Sequence, residues 1–282
     1  MQIISSRKEL QSLSLAYRRE GKSIGLVPTM GFLHAGHLSL IDTARERADV
    51  VIVSIFVNPT QFAPTEDLDT YPRDFERDCQ LCEEHKVDVI FAPAPEEMYN
   101  ADASTWVQET KLSQPLCGAS RPTFFRGVTT VVAKLFLLAQ PDFAVFGLKD
   151  AQQLFVVRRM VRDLDFPIEI VANPLVRDTD GLALSSRNRY LSDDERQRAL
   201  AIHRSLAAAR TAVEAGGLGV LVKAVRDARE EITASGGKVD YVSALDADTM
   251  MPPVEGVTTK LLLAAAVFYG TTRLIDNELI EF

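Results

Sequence analysis

His34 and His37 stand three residues apart in the stretch Pro28-Thr29-Met30-Gly31-Phe32-Leu33-His34-Ala35-Gly36-His37, and the chain has four histidines in all. On the opening turn of a helix, that spacing turns both imidazoles to one side. Gly36 lets a ligand approach the backbone closely. Free N–H groups at a helix start attract phosphate. Two imidazoles beside such groups can hold and polarise a triphosphate. The plain alternative is a capped helix start with two surface histidines. A zinc site would need a third His or Cys nearby, and the stretch has none.

Other residues invite similar weighing. Asn58 and Gln61 follow the apolar run Val50 to Val57. Asn-Pro starts turns, which would account for Asn58 alone. The Gln61 amide can donate and accept, which suits a hydroxyl or carboxylate ligand. Lys149 and Asp150 follow an apolar stretch and Gly147. On a surface they would be an ion pair worth little; at the carboxyl edge of a parallel sheet they would meet a ligand. Ser185, Ser186 and Arg187 offer two hydroxyls and a guanidinium, a good phosphate clamp. With Arg177, Asp178 and Asp180, the same stretch would also pass as a plain linker. Cys79 and Cys82 form a Cys-x-x-Cys pair, but the next cysteine is Cys117 and the segment reads as mid-helix. A metal or redox role for it is disfavoured.

These residues need elements to hold them. Strand-like runs at Ile24–Val27, Val50–Val57, Val87–Phe91, Phe143–Phe146 and Ile168–Val171 alternate with helical patterns at about 36–48, 74–85, 128–139 and 151–163. The run Val50–Val57 is β-branched and nearly all apolar, as in a strand buried on both faces. Such alternation predicts an α/β fold with a doubly wound parallel, Rossmann-like sheet. Ligands of these sheets bind beyond the carboxyl ends of the strands, where the candidate residues fall. After about Val176 the pattern changes to long helices, Asp193–Glu214 and about 218–234, then strands at Lys238–Leu245 and Lys260–Tyr269. Ser192 and Glu195 have capping-box spacing. The division expected is 1–176, the α/β domain, and 177–282, a smaller C-terminal α+β lid domain.

The strand followed by His-x-Gly-His at a helix start resembles the nucleotidyltransferase superfamily that includes the class I aminoacyl-tRNA synthetases. The extended form, Val27 to His37, is similar to the pantothenate synthetase family in particular. Further segments agree in order: Ser54 to Phe62, Phe125 to Val128, Phe146 to Asp150 with Gln152-Gln153, Gly181 to Asn188, and Leu274 to Asn277. The similarity covers nearly the whole chain. It implies a ligase that joins pantoate to β-alanine using ATP and Mg²⁺, through a pantoyl-adenylate that releases AMP and pyrophosphate. It implies that Met30, Gly31, Phe32, Leu33, His34, Ala35, Gly36, His37, Gly147, Leu148, Lys149, Asp150, Val176, Leu184, Ser185, Ser186 and Arg187 contact ATP. Leu148 stands where the family usually has Glu. The resemblance puts Gln61 and Gln153 on pantoate and β-alanine, gives His37, His34, Lys149 and Arg187 the catalytic roles, and implies a homodimer. Protein ligands to Mg²⁺ stay unassigned, because phosphates and water can supply most of them. Phe124 and Phe125 read as core, with Arg126 facing the pantoate pocket.

Composition bounds the alternatives. The chain has 282 residues, 46% hydrophobic and 25% charged, with 31 Lys and Arg against 39 Asp and Glu, a net charge of −8. An acidic chain argues against a general nucleic-acid surface and requires that any anionic ligand find a locally positive pocket. The apolar run Leu261–Tyr269 is too short to span a bilayer, and the first residues lack a signal-peptide pattern. Three cysteines fit a reducing cytoplasm better than a disulfide framework. A regulatory protein that binds ATP without chemistry is the rival from another class.

Overall fold

Apolar runs with two buried faces build the larger sheet. In the computed structural model, which describes residues 1–64 and 66–282, the chain runs β1 (Gln2–Ile4), α1 (Arg7–Arg19), β2 (Ile24–Thr29), α2 (Ala35–Arg47), β3 (Val50–Ile55), α3 (Phe75–Glu84) and β4 (Val89–Phe91). Two short helices follow, α4 (Pro95–Met98) and α5 (Cys117–Ser120), then α6 (Phe124–Ala139), β5 (Phe143–Gly147), α7 (Ala151–Asp163) and β6 (Glu169–Asn173). All the pairings in this sheet are parallel, in the order β1-β4-β3-β2-β5-β6. From β2 the chain steps outward through β3 to β4. From β5 it steps the other way to β6. The reversal between β2 and β5 is the switch point at which such sheets open a crevice.

Alternate residues of each strand serve opposite layers. Ile24, Leu26, Val50, Ile52, Ala144 and Phe146 pack with Leu10, Val128, Val132 and Leu154 from α1, α6 and α7. Val27, Val51, Val53 and Val145 pack with Leu40, Ile41, Ala44 and Cys82 from α2 and α3. Each fully buried Val, Leu or Ile contributes about 1.5–3 kcal/mol relative to leaving it in water. Two strands of the structure escape the sequence reading. The first, β1, is a three-residue edge strand with one buried side chain, Ile4, too short to show a period.

The rest of the chain forms α8 (Asp193–Gly216), α9 (Leu221–Ala234), β7 (Lys238–Asp246), β8 (Lys260–Tyr269) and β9 (Thr272–Glu281). These strands make a separate antiparallel sheet, β7-β8-β9. The Ser192 hydroxyl accepts from the Glu195 N–H at 3.3 Å, and the Glu195 carboxylate accepts from the Ser192 N–H at 2.9 Å, closing the expected capping box. β8 explains its own apolar run. Leu261, Leu263, Ala265 and Val267 face α8 and α9, whereas Leu262 and Ala264 pack with Phe125, Phe155 and Val156 of the larger sheet's layer. β9, the second strand not foreseen, carries Asp276 and Asn277 in mid-strand, polar residues that break the apolar pattern.

Candidate active site

The turn after β2 is held from a distance. Gly31 and Phe32 both take positive φ, 81° and 51°, a conformation costly for a side chain as bulky as phenylalanine. Asp78 on α3 secures it. Its carboxylate, 1% exposed, accepts the Phe32 N–H at 2.8 Å and the Leu33 N–H at 2.7 Å. Burial lifts the Asp78 carboxyl above its usual range despite those two bonds.

The turn delivers His34 as the cap of α2. The His34 Nδ1 accepts from the Gly36 N–H at 3.2 Å, and the His37 Nδ1 accepts from the His34 N–H at 3.4 Å. The two rings lie side by side, 4.1 Å between centroids. With both Nδ1 atoms accepting, each neutral ring keeps its proton on Nε2, an assignment that follows from the network. Both rings favour the neutral form. Burial, then the charge of Lys149, lowers His34 to about 4. Burial, His34 and Lys149 hold His37 well below the usual histidine range.

These imidazoles open onto a cleft of about 1090 Å³ between the two sheets. It is lined by Met30, His34, Gly36 and His37 after β2; by Gly147, Lys149 and Asp150 after β5; and by Val176 and Leu184–Arg187 beyond β6. Gln61 and Gln153 line it too. So the cleft gathers most of the residues expected to meet ATP and both glutamines. Five expected contacts stand off the wall. Gly31, Phe32, Leu33 and Ala35 shape the turn behind it, and Leu148 offers its carbonyl to Asn277 instead. Arg126 also turns away and stacks on Trp106, 4.7 Å from the ring centroid. Arg121, which donates to the Gln61 carbonyl at 3.2 Å, lines the cleft instead.

Gln61 has its amide aimed by a network. Asn58, 1% exposed, donates to Gln61 Oε1 at 3.1 Å and to the Gly127 carbonyl at 3.2 Å, while its own oxygen accepts from Tyr99 at 2.9 Å. The Gln61 NH₂ is thereby left on the Met30 side, 3.1 Å from sulfur. A Cβ on Gly127 would lie 2.5 Å from the Thr60 carbonyl oxygen, so only glycine lets α6 approach this turn. Gln152 and Gln153 divide their labour. Gln152 is buried and bridges Cys117, Leu112 and Pro115, while its neighbour faces the cleft.

The arginines are already paired. Arg187 makes a fork with Asp67 at 2.9 and 2.8 Å, and Arg121 makes one with Glu66 at 2.6 Å on both arms. Arg273 pairs with Asp240 at 2.8 Å. Lys149 has a looser partner, Asp150 at 3.6 Å. The cleft carboxylates therefore do not assemble into a cation cage, and no cluster of three or more His, Cys, Asp or Glu among the described residues could hold a metal. Burial raises the Cys82 thiol to about 12 and also raises Cys79, both on α3, far from the reactive thiolate range. Nothing in the local sequence marks Asp78, Arg121 or the Glu66–Asp67 pair, because their meaning lies in partners 45 or more residues away.

Fold and site together define an α/β protein with a cleft lined by two histidines, Lys149 and carboxylate-paired arginines at the switch point of a doubly wound sheet, closed on one side by an antiparallel sheet. The chain belongs to the pantoate–β-alanine ligase family, whose description matches residues 2–279, and it is an enzyme of that family. A pantothenate synthetase of Moorella thermoacetica is 54% identical over 100% of this chain and 99% of its own. One of Geobacter sulfurreducens is 54% identical over 98% of each. The crystal structure of pantothenate synthetase from Thermus thermophilus is 47% identical and matches with a TM-score of 0.91 over 99% of both chains. A pantoate–β-alanine ligase from Francisella tularensis, solved with β,γ-ATP and β-alanine bound, is 33% identical, with a TM-score of 0.81 over 99% of this chain and 97% of that one.

Proposed function

We propose that this enzyme condenses pantoate with β-alanine at the expense of ATP, through a pantoyl-adenylate. The observation that carries the reading is the meeting, at one crevice, of the His34–His37 pair, Lys149 and the Ser185–Ser186–Arg187 loop. Carboxylates do not react with amines at neutral pH, because oxide would have to leave. The pantoate carboxylate oxygen attacks the α-phosphorus of ATP, and the bond to the bridging oxygen breaks as pyrophosphate departs. The β-alanine amine then attacks the acyl carbon, the acyl–oxygen bond breaks, and AMP leaves with the electron pair.

The first step asks for charge stabilisation and alignment rather than covalent help. His34 and His37 would donate from Nε2 to phosphate oxygens, Lys149 would add a point charge, and Ser186 and Arg187 would close on the far side. Val176 and Leu184, joined by a backbone bond of 3.1 Å, would border the base. Gln61 and Gln153 would hold the hydroxyls and carboxylate of pantoate. Phe62, Val128, Val131 and Val132, which line the same cleft, suit its geminal methyl groups. Residues 177–282 would act as the lid that excludes water. Mg²⁺ would enter with the ATP phosphates, since Glu66, Asp67 and Asp240 are held by arginines and Asp150 pairs with Lys149.

The test is exchange of labelled pyrophosphate into ATP with β-alanine absent. Exchange should require pantoate, and His37→Ala should slow it about 10²–10³-fold while the fold persists. Exchange without pantoate, or a folded His37→Ala enzyme at full rate, would overturn the assignment.

A further inference from the structure

The dipeptide Asp276–Asn277 on β9 has no part in the reaction sequence above, yet it reaches both cation-bearing segments of the cleft. Asn277, 7% exposed, donates from one amide nitrogen to two consecutive carbonyls, Leu148 at 2.9 Å and Lys149 at 3.0 Å. Those carbonyls belong to the 3₁₀ turn Leu148–Asp150 that carries Lys149 to the cleft. Asp276, 4% exposed, takes both arms of Arg177 at 2.6 and 2.9 Å. Arg177 pairs across a bridge with Ala183, just before Leu184–Arg187. The Asp276 carboxylate also accepts the Asn277 backbone N–H at 2.8 Å, on the same oxygen that takes one arm of Arg177, so Arg177 and the backbone of Asn277 are held by one atom.

The chemistry of this site is narrow. Bridging two adjacent carbonyls needs two N–H donors at one nitrogen. An aspartate would set oxygen against oxygen, and an aliphatic side chain would leave both carbonyls bare. The cross-strand neighbour of Asn277 is Ala264, which leaves the amide room to reach across to the other sheet's turn.

We propose that Asn277 is a positioning residue for Lys149, and that Asp276–Asn277 sets the spacing between Lys149 and the Ser185–Arg187 loop. The proposal rests on the reading of Lys149 as a phosphate contact. Lysine is a long chain with many rotamers, so the placement of its backbone decides where its ammonium can sit at low entropic cost. Coupling of this kind appears as non-additivity.

The experiment is a double-mutant cycle on kcat/KM for ATP. Asn277→Ala should lower it about 10–10²-fold, the loss expected from a small misplacement of a working group, while KM for β-alanine stays put. In a Lys149→Ala background, Asn277→Ala should cost nothing more. An equal loss in both backgrounds, or no loss in either, would overturn the proposal by making Asn277 merely structural or idle. If Asn277→Ala does not fold, Asn277→Ser, which keeps one donor, should show a smaller loss with the same dependence on Lys149. A Lys149→Ala enzyme of undiminished activity would instead sink the reading of Lys149, and this proposal with it.

Discussion

His34 and His37 enter the site as hydrogen-bond donors rather than as cations. Burial and Lys149 hold His34 at about 4, and the caps use both Nδ1 atoms as acceptors. The sign of the resulting pH dependence follows. An unfolded histidine takes a proton near pH 6.5, and the folded His34 resists it until about 4. As pH falls between those values the unfolded state binds more protons, so this group's contribution to stability is lost. Urea midpoints of the wild type and His34→Gln, compared from pH 7.5 down to 5, should show the wild type losing ground to the variant. A constant gap would mean that His34 is not held neutral. At this scale the sequence is most legible. The spacing of the histidines already places both rings on one side of a helix start. Lys149, Gln61, Gln153, Ser186 and Arg187 follow from the resemblance, and all reach the cleft. The partners that aim or neutralise them are not legible, because Asp67 for Arg187 and Asn58 for Gln61 are matters of three-dimensional contact.

At the scale of elements, the motifs prove to be joints between strands and helices. Ile24–Thr29 ends where Asp78 grips the turn, and α6 lies close enough to the Pro59–Gln61 turn for Gly127 to accept from Asn58. Gly127→Ala tests this joint. Its Cβ would meet backbone, not a yielding side chain, at 2.5 Å. Overpacking of this kind costs about 1–3 kcal/mol, measurable by urea unfolding. Because Gln61 must move with the turn, KM for pantoate should rise in the same variant while KM for ATP changes little. A variant of wild-type stability and KM would show that the turn yields freely. Helices α2, α3 and α7 to α9 are legible within a few residues of their ends, since their apolar periods run for two turns or more. The sequence shows α6 from Val128 onward, whereas the helix itself opens at Phe124. β1 and β9 are not legible. One is too short to show a period, and the other interrupts its apolar residues with Asp276, Asn277 and Glu278.

The whole molecule is two sheets sharing one cleft. β8 serves both cores, with Leu261 and Leu263 turned to α8 and α9 and Leu262 and Ala264 turned to Phe125 and Phe155. Its nine apolar residues from Leu261 to Tyr269 make sense only in that setting. Composition reports an acidic chain with ample apolar content; how the two parts meet depends on long-range packing that no local pattern encodes. In a chain of charge −8, the cleft sets its cations against the carboxylates Glu66, Asp67, Asp150 and Asp240. Lys149 and three arginines line it, and each arginine is paired with a carboxylate that keeps it placed. Under the proposed function, an anionic substrate would meet Lys149 and the two imidazole N–H groups as donors already in place. Under the proposed function, this cleft activates pantoate by adenylation. The most direct test uses pantoate labelled with ¹⁸O in its carboxylate, turned over with ATP and β-alanine, with the products read by mass spectrometry. One labelled oxygen should appear in AMP and none in pyrophosphate. Unlabelled AMP, with the label in pyrophosphate or inorganic phosphate, would rule out adenylation of pantoate.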